Sequence, residues 1–368
     1  MTPSFWRPLP LLLAIGLAAC GSSAQPAPAS SAAAPASPSA KPAASAPAAA
    51  SKAAASASAS GSAAAKPAAS AAAGLKPIKI AFVAISTTTL PTWIADAKGF
   101  FKQQGLNPQI SYVQGSTTAV PALAAGDLDI VEAQAAASVQ AQLKGADTVS
   151  LATHVPYADV RLVVSKNITQ MSDLKGKAVA VTKAGTVTDV VARAVFPKYN
   201  LTPDKDVRIT YVDTQPGQLA ALENNAVQAI LVPPPFDETA KKAGFSELLN
   251  MRSLNFPYPT DGVVTTHKFL REHPDLVDMY LKAFEQAVHF APANPEESKK
   301  ILADRTKQTD PEILDISYKD QMGDWADPPT PTIEGIQTLL PLFGGEGKNP
   351  ADFIDPAPLA KAVKELGS

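Results

Sequence analysis

A repeated layout narrows the possible folds more than any other feature of this 368-residue chain. Lys79–Ile85 is an apolar run of strand length, and Ser86-Thr-Thr-Thr89 follows it. Pro91 then sits in the first turn of a helix expected through Lys98, where Gly99 stops it. A second strand is expected over Gln109–Val113. A helix opening at Gln114-Gly-Ser-Thr-Thr118 runs to Gly126, and a third strand covers Asp129–Glu132. The same order returns downstream: strand Lys177–Thr182, turn Lys183–Thr188, helix Asp189–Phe196 and strand Val207–Val212, then a helix from Asp213-Thr-Gln-Pro-Gly217 to Asn225 and a strand over Gln228–Val232. Phe82 to Asp129 is 47 positions and Ala180 to Gln228 is 48. Strand and helix alternating with short connections predicts a mainly parallel sheet covered on both faces. Its repetition predicts an α/β chain of two similarly built lobes facing each other across a cleft.

The pattern then changes. Asn255–Gly262 reads as a proline-rich crossing, Val263–Thr266 as a short strand, and Asp275–Phe290 as a long helix; the remainder, through the Ala360–Leu366 helix, is mostly helical. The chain is therefore expected to cross between lobes near His154–Arg161, return near Leu254–Asp261 and pack outside the first lobe. The expected boundaries are 74–157 for the first part of lobe 1, 158–256 for lobe 2, and 257–368 for the return strand and C-terminal helices of lobe 1.

The first 73 residues are different in kind. They contain no Asp or Glu and only Arg7, Lys41, Lys52 and Lys66 as cations. Arg7 precedes an apolar run, Leu9 to Ala19, too short to span a bilayer as a helix of about 20 residues. This reads as an export signal over 1–19. Leu17-Ala18-Ala19-Cys20 resembles the lipobox of bacterial lipoproteins, in which the cysteine thiol takes a diacylglycerol, and Cys20 is the chain's single cysteine. Residues 21–73 are Ala, Ser and Pro with three lysines, a composition without the large apolar side chains needed to offset the entropy of ordering. They are expected to form a disordered spacer with a root-mean-square reach of about 40 Å. An extracytoplasmic, lipid-anchored head follows from this reading.

Removing that segment leaves 28 basic and 34 acidic side chains, a mildly acidic body with no long basic run, which argues against nucleic acid as the partner. A single cysteine excludes a disulfide framework and Cys-rich metal or iron–sulfur sites. His154, His267, His273 and His289 show no metal-ligand spacing, so no metal and no cofactor is expected. No Gly-x-Ser-x-Gly elbow and no Gly-x-x-x-x-Gly-Lys phosphate loop occurs, and no nucleophile–base pair can be named.

Ile94-Ala-Asp-Ala-Lys-Gly-Phe-Phe-Lys-Gln-Gln-Gly-Leu-Asn-Pro108, the Gly115-Ser116 turn, Ala124-Ala-Gly-Asp-Leu-Asp-Ile130 and Ser172-Asp-Leu-Lys-Gly-Lys-Ala-Val-Ala-Val181 together resemble the periplasmic solute-binding proteins for nitrate, sulfonates, taurine and thiamine-precursor pyrimidines. The resemblance covers residues 76–300 and implies a type II periplasmic-binding fold. One departure is Asn224-Asn225-Ala226-Val227-Gln228, where family members usually place a Gly and an Asp. The implied role is a monomeric binding subunit of an ATP-driven (ABC) importer. It would close about a hinge on a small solute and dock a permease whose ATPase is a separate partner. Enzymes of pyrimidine or menaquinone synthesis resemble the same fold and stand as an alternative, as does a ligand sensor for a receptor.

Ligands of open α/β sheets bind beyond the carboxyl ends of the strands, at helix amino termini. Three such ends carry hydroxyls and glycines: Ser86, Thr87 and Thr88; Gly115, Ser116 and Thr117; and Gly185, Thr186 and Thr188. Backbone N–H groups and hydroxyls there can solvate an oxyanion, although each Ser or Thr could equally be an ordinary helix cap. Glu132 and Gln134 end the third strand toward the same cleft. A carboxylate there would repel an anion unless Glu132 faces away, is paired, or recognises an N–H group of the ligand. Phe236 could wall off the ligand or belong to the core, and Tyr258 and Asp261 lie at the second crossing, where hinge residues touch what is bound. The expected solute is a small sulfonate-, nitrate- or carboxylate-like anion. Replacing Cys20 by Ser is expected to abolish incorporation of a fatty-acid label in a bacterial host; retained label would exclude Cys20 as the anchor.

Overall fold

The structure, a computed structural model, describes residues 74–254, 256–323 and 325–367; the expected leader, Cys20 and the Ala/Ser/Pro stretch lie outside them. Ten strands are named here in chain order: β1 Lys76–Phe82, β2 Leu106–Tyr112, β3 Ile130–Ala133, β4 Thr148–Tyr157, β5 Arg161–Val164, β6 Ala178–Val181, β7 Arg208–Tyr211, β8 Ala229–Val232, β9 Ser246–Asn250 and β10 Pro257–Thr266. They form two five-stranded sheets with orders β2-β1-β3-β10-β4 and β7-β6-β8-β5-β9. Within each, the three repeat strands run parallel. The strand next to them is antiparallel and is the one the chain enters on arriving from the other sheet: β5 in one case, β10 in the other. The fold is thus α/β with two lobes of one blueprint.

Side chains alternate across each sheet because successive Cβ atoms point to opposite faces. In the first lobe, Ile78, Ile80 and Ile130 pack with Trp93 and with Tyr280 and Phe284 of the long helix Pro274–Ala293, while Ala81, Val83 and Val131 pack with Val120 and Leu123 on the other face. In the second, Leu162, Val179, Val181 and Leu231 face one cluster and Val163, Ala180, Ile230 and Val232 the other. A sheet covered on both faces needs uninterrupted apolar strands, which explains why β5, β6 and β8 are buried throughout. Ile336, Leu339, Leu340 and Phe353, from the C-terminal part of the chain, join the second lobe's cluster together with Ala136 and Val139. Among the described residues, no helix is long and apolar enough to cross a membrane.

The departure at Asn224–Gln228 has a local explanation. In the first lobe Asp129 Oδ2 accepts the Lys79 N–H at 2.7 Å, and Gly126 takes a positive φ of 87° behind it. In the second, Gln228 Oε1 accepts the Ala178 N–H at 3.2 Å, and Asn225 takes the positive φ, at 55°. Asn tolerates the left-handed region better than other residues with a Cβ, and the longer Gln amide replaces the Asp carboxylate as backbone acceptor.

Several elements escape the local pattern. β4, β5, β9 and the helix Ala135–Leu143 had no repeat to announce them. β10 is longer than the Val263–Thr266 strand because its proline-containing half still pairs with β4, through shifts of register between Pro257 and Val264. Gly262 permits that pairing: a Cβ there would stand 2.0 Å from the Ala152 carbonyl oxygen. Gly262→Ala is expected to destabilise the protein by about 1–3 kcal/mol, read as a lowered thermal midpoint; an unchanged midpoint would contradict the close approach of β10 to β4.

Candidate functional site

Strand ends and crossings meet at a small cavity. β1 ends at Phe82 and delivers Ala84, Ser86 and Thr88; β3 ends at Ala133 and delivers Gln134. β6 delivers Thr182, with Val187 and Thr188 opening the helix Val187–Val195, and Gln215 and Pro233 follow β7 and β8. The two crossings contribute Asp159 and Val160, and Thr260 and Asp261. Together these residues line a cavity of about 40 Å³. The lobes touch around it. The Thr87 N–H donates to the Pro234 carbonyl at 3.3 Å, Gln114 Nε2 to the Asp213 carbonyl at 2.7 Å, Lys183 Nζ to the Gln114 carbonyl at 3.2 Å, and the Val187 N–H to Gln134 Oε1 at 3.3 Å.

Of the residues expected from sequence, Ser86, Thr88, Gln134, Thr188 and Asp261 line this cavity. Ser86 and Thr88 hydroxyls lie 2.9 Å apart, and Thr88 Oγ1 donates to Asp261 Oδ2 at 2.7 Å. Thr188 Oγ1 accepts the Thr182 N–H at 2.9 Å. Thr87 and Thr186 are buried beside the wall: Thr87 Oγ1 lies 2.7 Å from the Gln321 amide, and Thr186 Oγ1 donates to the Lys183 carbonyl at 2.7 Å. Ser116 Oγ accepts the Gln134 N–H at 3.2 Å and so holds a lining residue in place. Gly115 lies against Lys183 and Thr186, and Gly185 against Gln140 and Thr117, as close-approach points between lobes. Thr117 itself lines a separate surface pocket with Pro121 and Gln140. Phe236 packs on the second lobe's core and borders a pocket with Leu219 and Thr306, and Tyr258 is wholly buried; neither lines the cleft.

Glu132 stands behind the wall rather than in it. Its carboxylate is buried without a hydrogen bond, 3.9 Å from His154 Nε2. Burial, reinforced by Asp261, raises its pKa well above the carboxylate range. His154 is also buried, which lowers its pKa to about 4, and its Nε2–H donates to the Thr88 carbonyl at 2.7 Å, so the neutral ring props the Thr88 turn. Burial pushes Asp261 up to about 7 against the opposing hydrogen bonds from Thr88 and the Gly262 N–H.

Asp159, which sequence reasoning did not single out, brings in a buried guanidinium. Arg161 on β5 is 1% exposed and bonds Asp159 and Asp320, with Asp237 Oδ2 at 3.6 Å. Burial disfavours its charge, but the three carboxylates outweigh that and raise its pKa. Asp237 is itself pushed up to about 7, burial exceeding the pull of Arg161. With the Gln321 amide nitrogen turned toward Asp159, it donates to Asp159 Oδ2 at 2.9 Å and to Thr87 Oγ1, and its oxygen accepts from the Trp325 indole at 3.2 Å. The guanidinium is therefore occupied by carboxylates. The ionisable side chains that line the cavity are Asp159 and Asp261, both acids. Thr182 and Gln215 were legible in principle as the residues following strand ends; Asp159 and Thr260 carried no local signal.

Asp261 also gives a pH dependence. Its folded pKa of about 7 exceeds the unfolded value of about 3.9, so between those pH values the folded state binds more protons and stability falls as pH rises. Asp261→Asn keeps an acceptor for Thr88 and removes this loss. The variant is expected to melt above the wild type near pH 8 and with it near pH 4; a difference independent of pH would refute the assignment.

The sequence matches the NMT1/THI5-like family over residues 86–298. A Bacillus subtilis (strain 168) relative, YtlA, is 23% identical over 286 residues, spanning 73% of this chain and 84% of its own. Among solved structures, a Bordetella bronchiseptica RB50 protein superposes with a TM-score of 0.72 at 21% identity, covering 79% of this chain and 98% of its own. The periplasmic nitrate-binding protein NrtA of Synechocystis PCC 6803 gives 0.68 at 17% identity over 79% and 89%, and the periplasmic aliphatic sulphonate-binding protein SsuA of Escherichia coli gives 0.61 at 18% over 73% and 91%. With the family match extending over more than half of its length and the two-lobed periplasmic-binding-protein fold on both sides of the cleft, this chain belongs to the NMT1/THI5-like family.

Proposed function

We propose that the protein is the extracytoplasmic solute-binding component of an ABC importer, anchored by lipid at Cys20, that captures a small molecule by hinge closure and hands it unchanged to a permease. One observation carries this reading: the cavity draws its lining from both lobes and both crossings, so a ligand can touch all of them only when the lobes are together. A solute's differential affinity for that closed arrangement then sets how far it shifts the population toward it. The names borne by NrtA and SsuA, nitrate- and sulphonate-binding, support capture of a small solute. The commitment of His154 to a backbone carbonyl and of the Thr88 hydroxyl to Asp261 supports binding rather than turnover.

The lining favours a solute that presents hydrogen-bond donors, such as an amine or a ring N–H. Asp159 and Asp261 offer acceptors, and Arg161 has its charge engaged elsewhere. An oxyanion is the second reading, favoured by the hydroxyls of Ser86, Thr88, Thr182 and Thr188. Calorimetric titration of the purified protein with small amines and aminopyrimidines on one side, and unsubstituted alkanesulfonates and nitrate on the other, separates them. Saturable binding of donor-bearing compounds, lost in Asp261→Ala, is the expected result. Binding confined to nitrate or simple sulfonates selects the oxyanion, and conversion of any bound compound would overturn a pure carrier role.

A further inference from the structure

We propose that Glu285, His289 and Asp327 form a binding site for one divalent transition-metal cation, outside the solute cleft. Glu285 and His289 are one helical turn apart on Pro274–Ala293 and so share a face. Asp327 comes from a separate segment whose position is fixed by backbone bonds to β4 on both sides: the Ala326 N–H donates to the His154 carbonyl at 2.9 Å, and the Thr153 N–H to the Pro329 carbonyl at 2.6 Å. His289 Nε2 lies 2.8 Å from Asp327 Oδ1 and 3.4 Å from Glu285 Oε1, and the three candidate ligand atoms all fall within 4.8 Å of one another.

An ion pair alone leaves this arrangement incomplete. A single ring nitrogen carries at most one proton, and at 2.8 Å Asp327 is the better placed acceptor. Glu285 is then left 0% exposed, with neither carboxylate oxygen hydrogen-bonded, while its Oε1 points at the cluster. A buried carboxylate in that condition is costly. A cation coordinated between the three groups would satisfy the Glu285 oxygens and leave Nε2 a ligand instead of a donor. Bonds of about 2.0–2.2 Å require the ligand atoms to draw together somewhat, and Asp327, 55% exposed, has the rotational freedom to do so. One imidazole with two carboxylates suits ions such as Zn²⁺ or Co²⁺. His289 also borders a surface groove of about 380 Å³ with Phe100, Gln286, Phe290 and Leu366, which gives an ion and its remaining water ligands access. A bound ion would tie the 325–330 segment to the long helix. That segment carries Trp325, which packs edge-on against His154 at 5.4 Å.

The test uses the full-length protein freed of metal with a chelator and titrated with Zn²⁺ by calorimetry, with the Co²⁺ visible spectrum as a second measurement. One saturable ion per chain is expected, together with Co²⁺ bands of a nitrogen–oxygen site. Zn²⁺ should raise the thermal midpoint by mass action. Asp327→Asn, at an exposed position, and Glu285→Gln should each weaken Zn²⁺ binding at least about tenfold, and in Asp327→Asn the metal-free melting temperature should stay at the wild-type value. Absence of saturable binding at millimolar Zn²⁺ would overturn the site and leave a His289 ion pair. Wild-type affinity in Asp327→Asn would place any bound ion elsewhere and overturn it equally.

Discussion

The architecture depends on the chain passing twice between the same two sheets at nearly the same point. Thr260 ties the passages together: its hydroxyl donates to the Tyr157 carbonyl and accepts the Asp159 N–H at 3.3 Å, while Pro257 pairs with Tyr157 in the ladder. Each passage continues as the antiparallel strand of the sheet it enters, so β5 and β10 are fixed in direction and position by where they come from. The same geometry puts Asp159 and Asp261, residues 102 apart in sequence, on one small cavity. Backbone pairing and the Thr260 hydroxyl thus bring both crossings and the cavity to a single place.

Burial then decides the electrostatics of that place. Arg161 would be the natural partner of an anionic ligand, but at 1% exposure it has to be paired, and Asp159, Asp237 and Asp320 surround it. Removing the guanidinium would leave buried carboxylates uncompensated in a dry environment, which costs far more than the pairing contributes in place. Asp261 and Glu132 follow the complementary course and move toward the neutral form. The cavity lining is left with oxygen acceptors and hydroxyls and without a cation.

The fold was legible wherever a local pattern sufficed. The repeated layout gave β1, β2, β3, β6, β7 and β8 to within a few residues; continuous hydrophobicity marks β3, β6 and β8, which are buried throughout, while the largely exposed edge strands β2 and β7 followed from the repeated order. β4 was harder: Thr148, Ser150, Thr153 and His154 interrupt its apolar character, and the strand exists because β10 pairs with it. The strand-end rule also located Ser86, Thr88, Gln134 and Thr188. It could not distinguish them from Thr87, Thr186 and Ser116, whose hydroxyls serve neighbouring protein groups instead of the cavity. Phe236 and Tyr258 were drawn in by their positions near a strand end and a crossing, and packing claimed both.

By itself, the sequence determined that two α/β units of one layout would form, since alternating strands and helices are set by contacts within a few tens of residues. Only the tertiary structure decided which polar groups share the cleft, how Arg161 is neutralised, and that Glu285, His289 and Asp327 converge. Those outcomes depend on strand register, on crossings between sheets and on the desolvation that packing imposes, and none of these is carried by spacing along the chain.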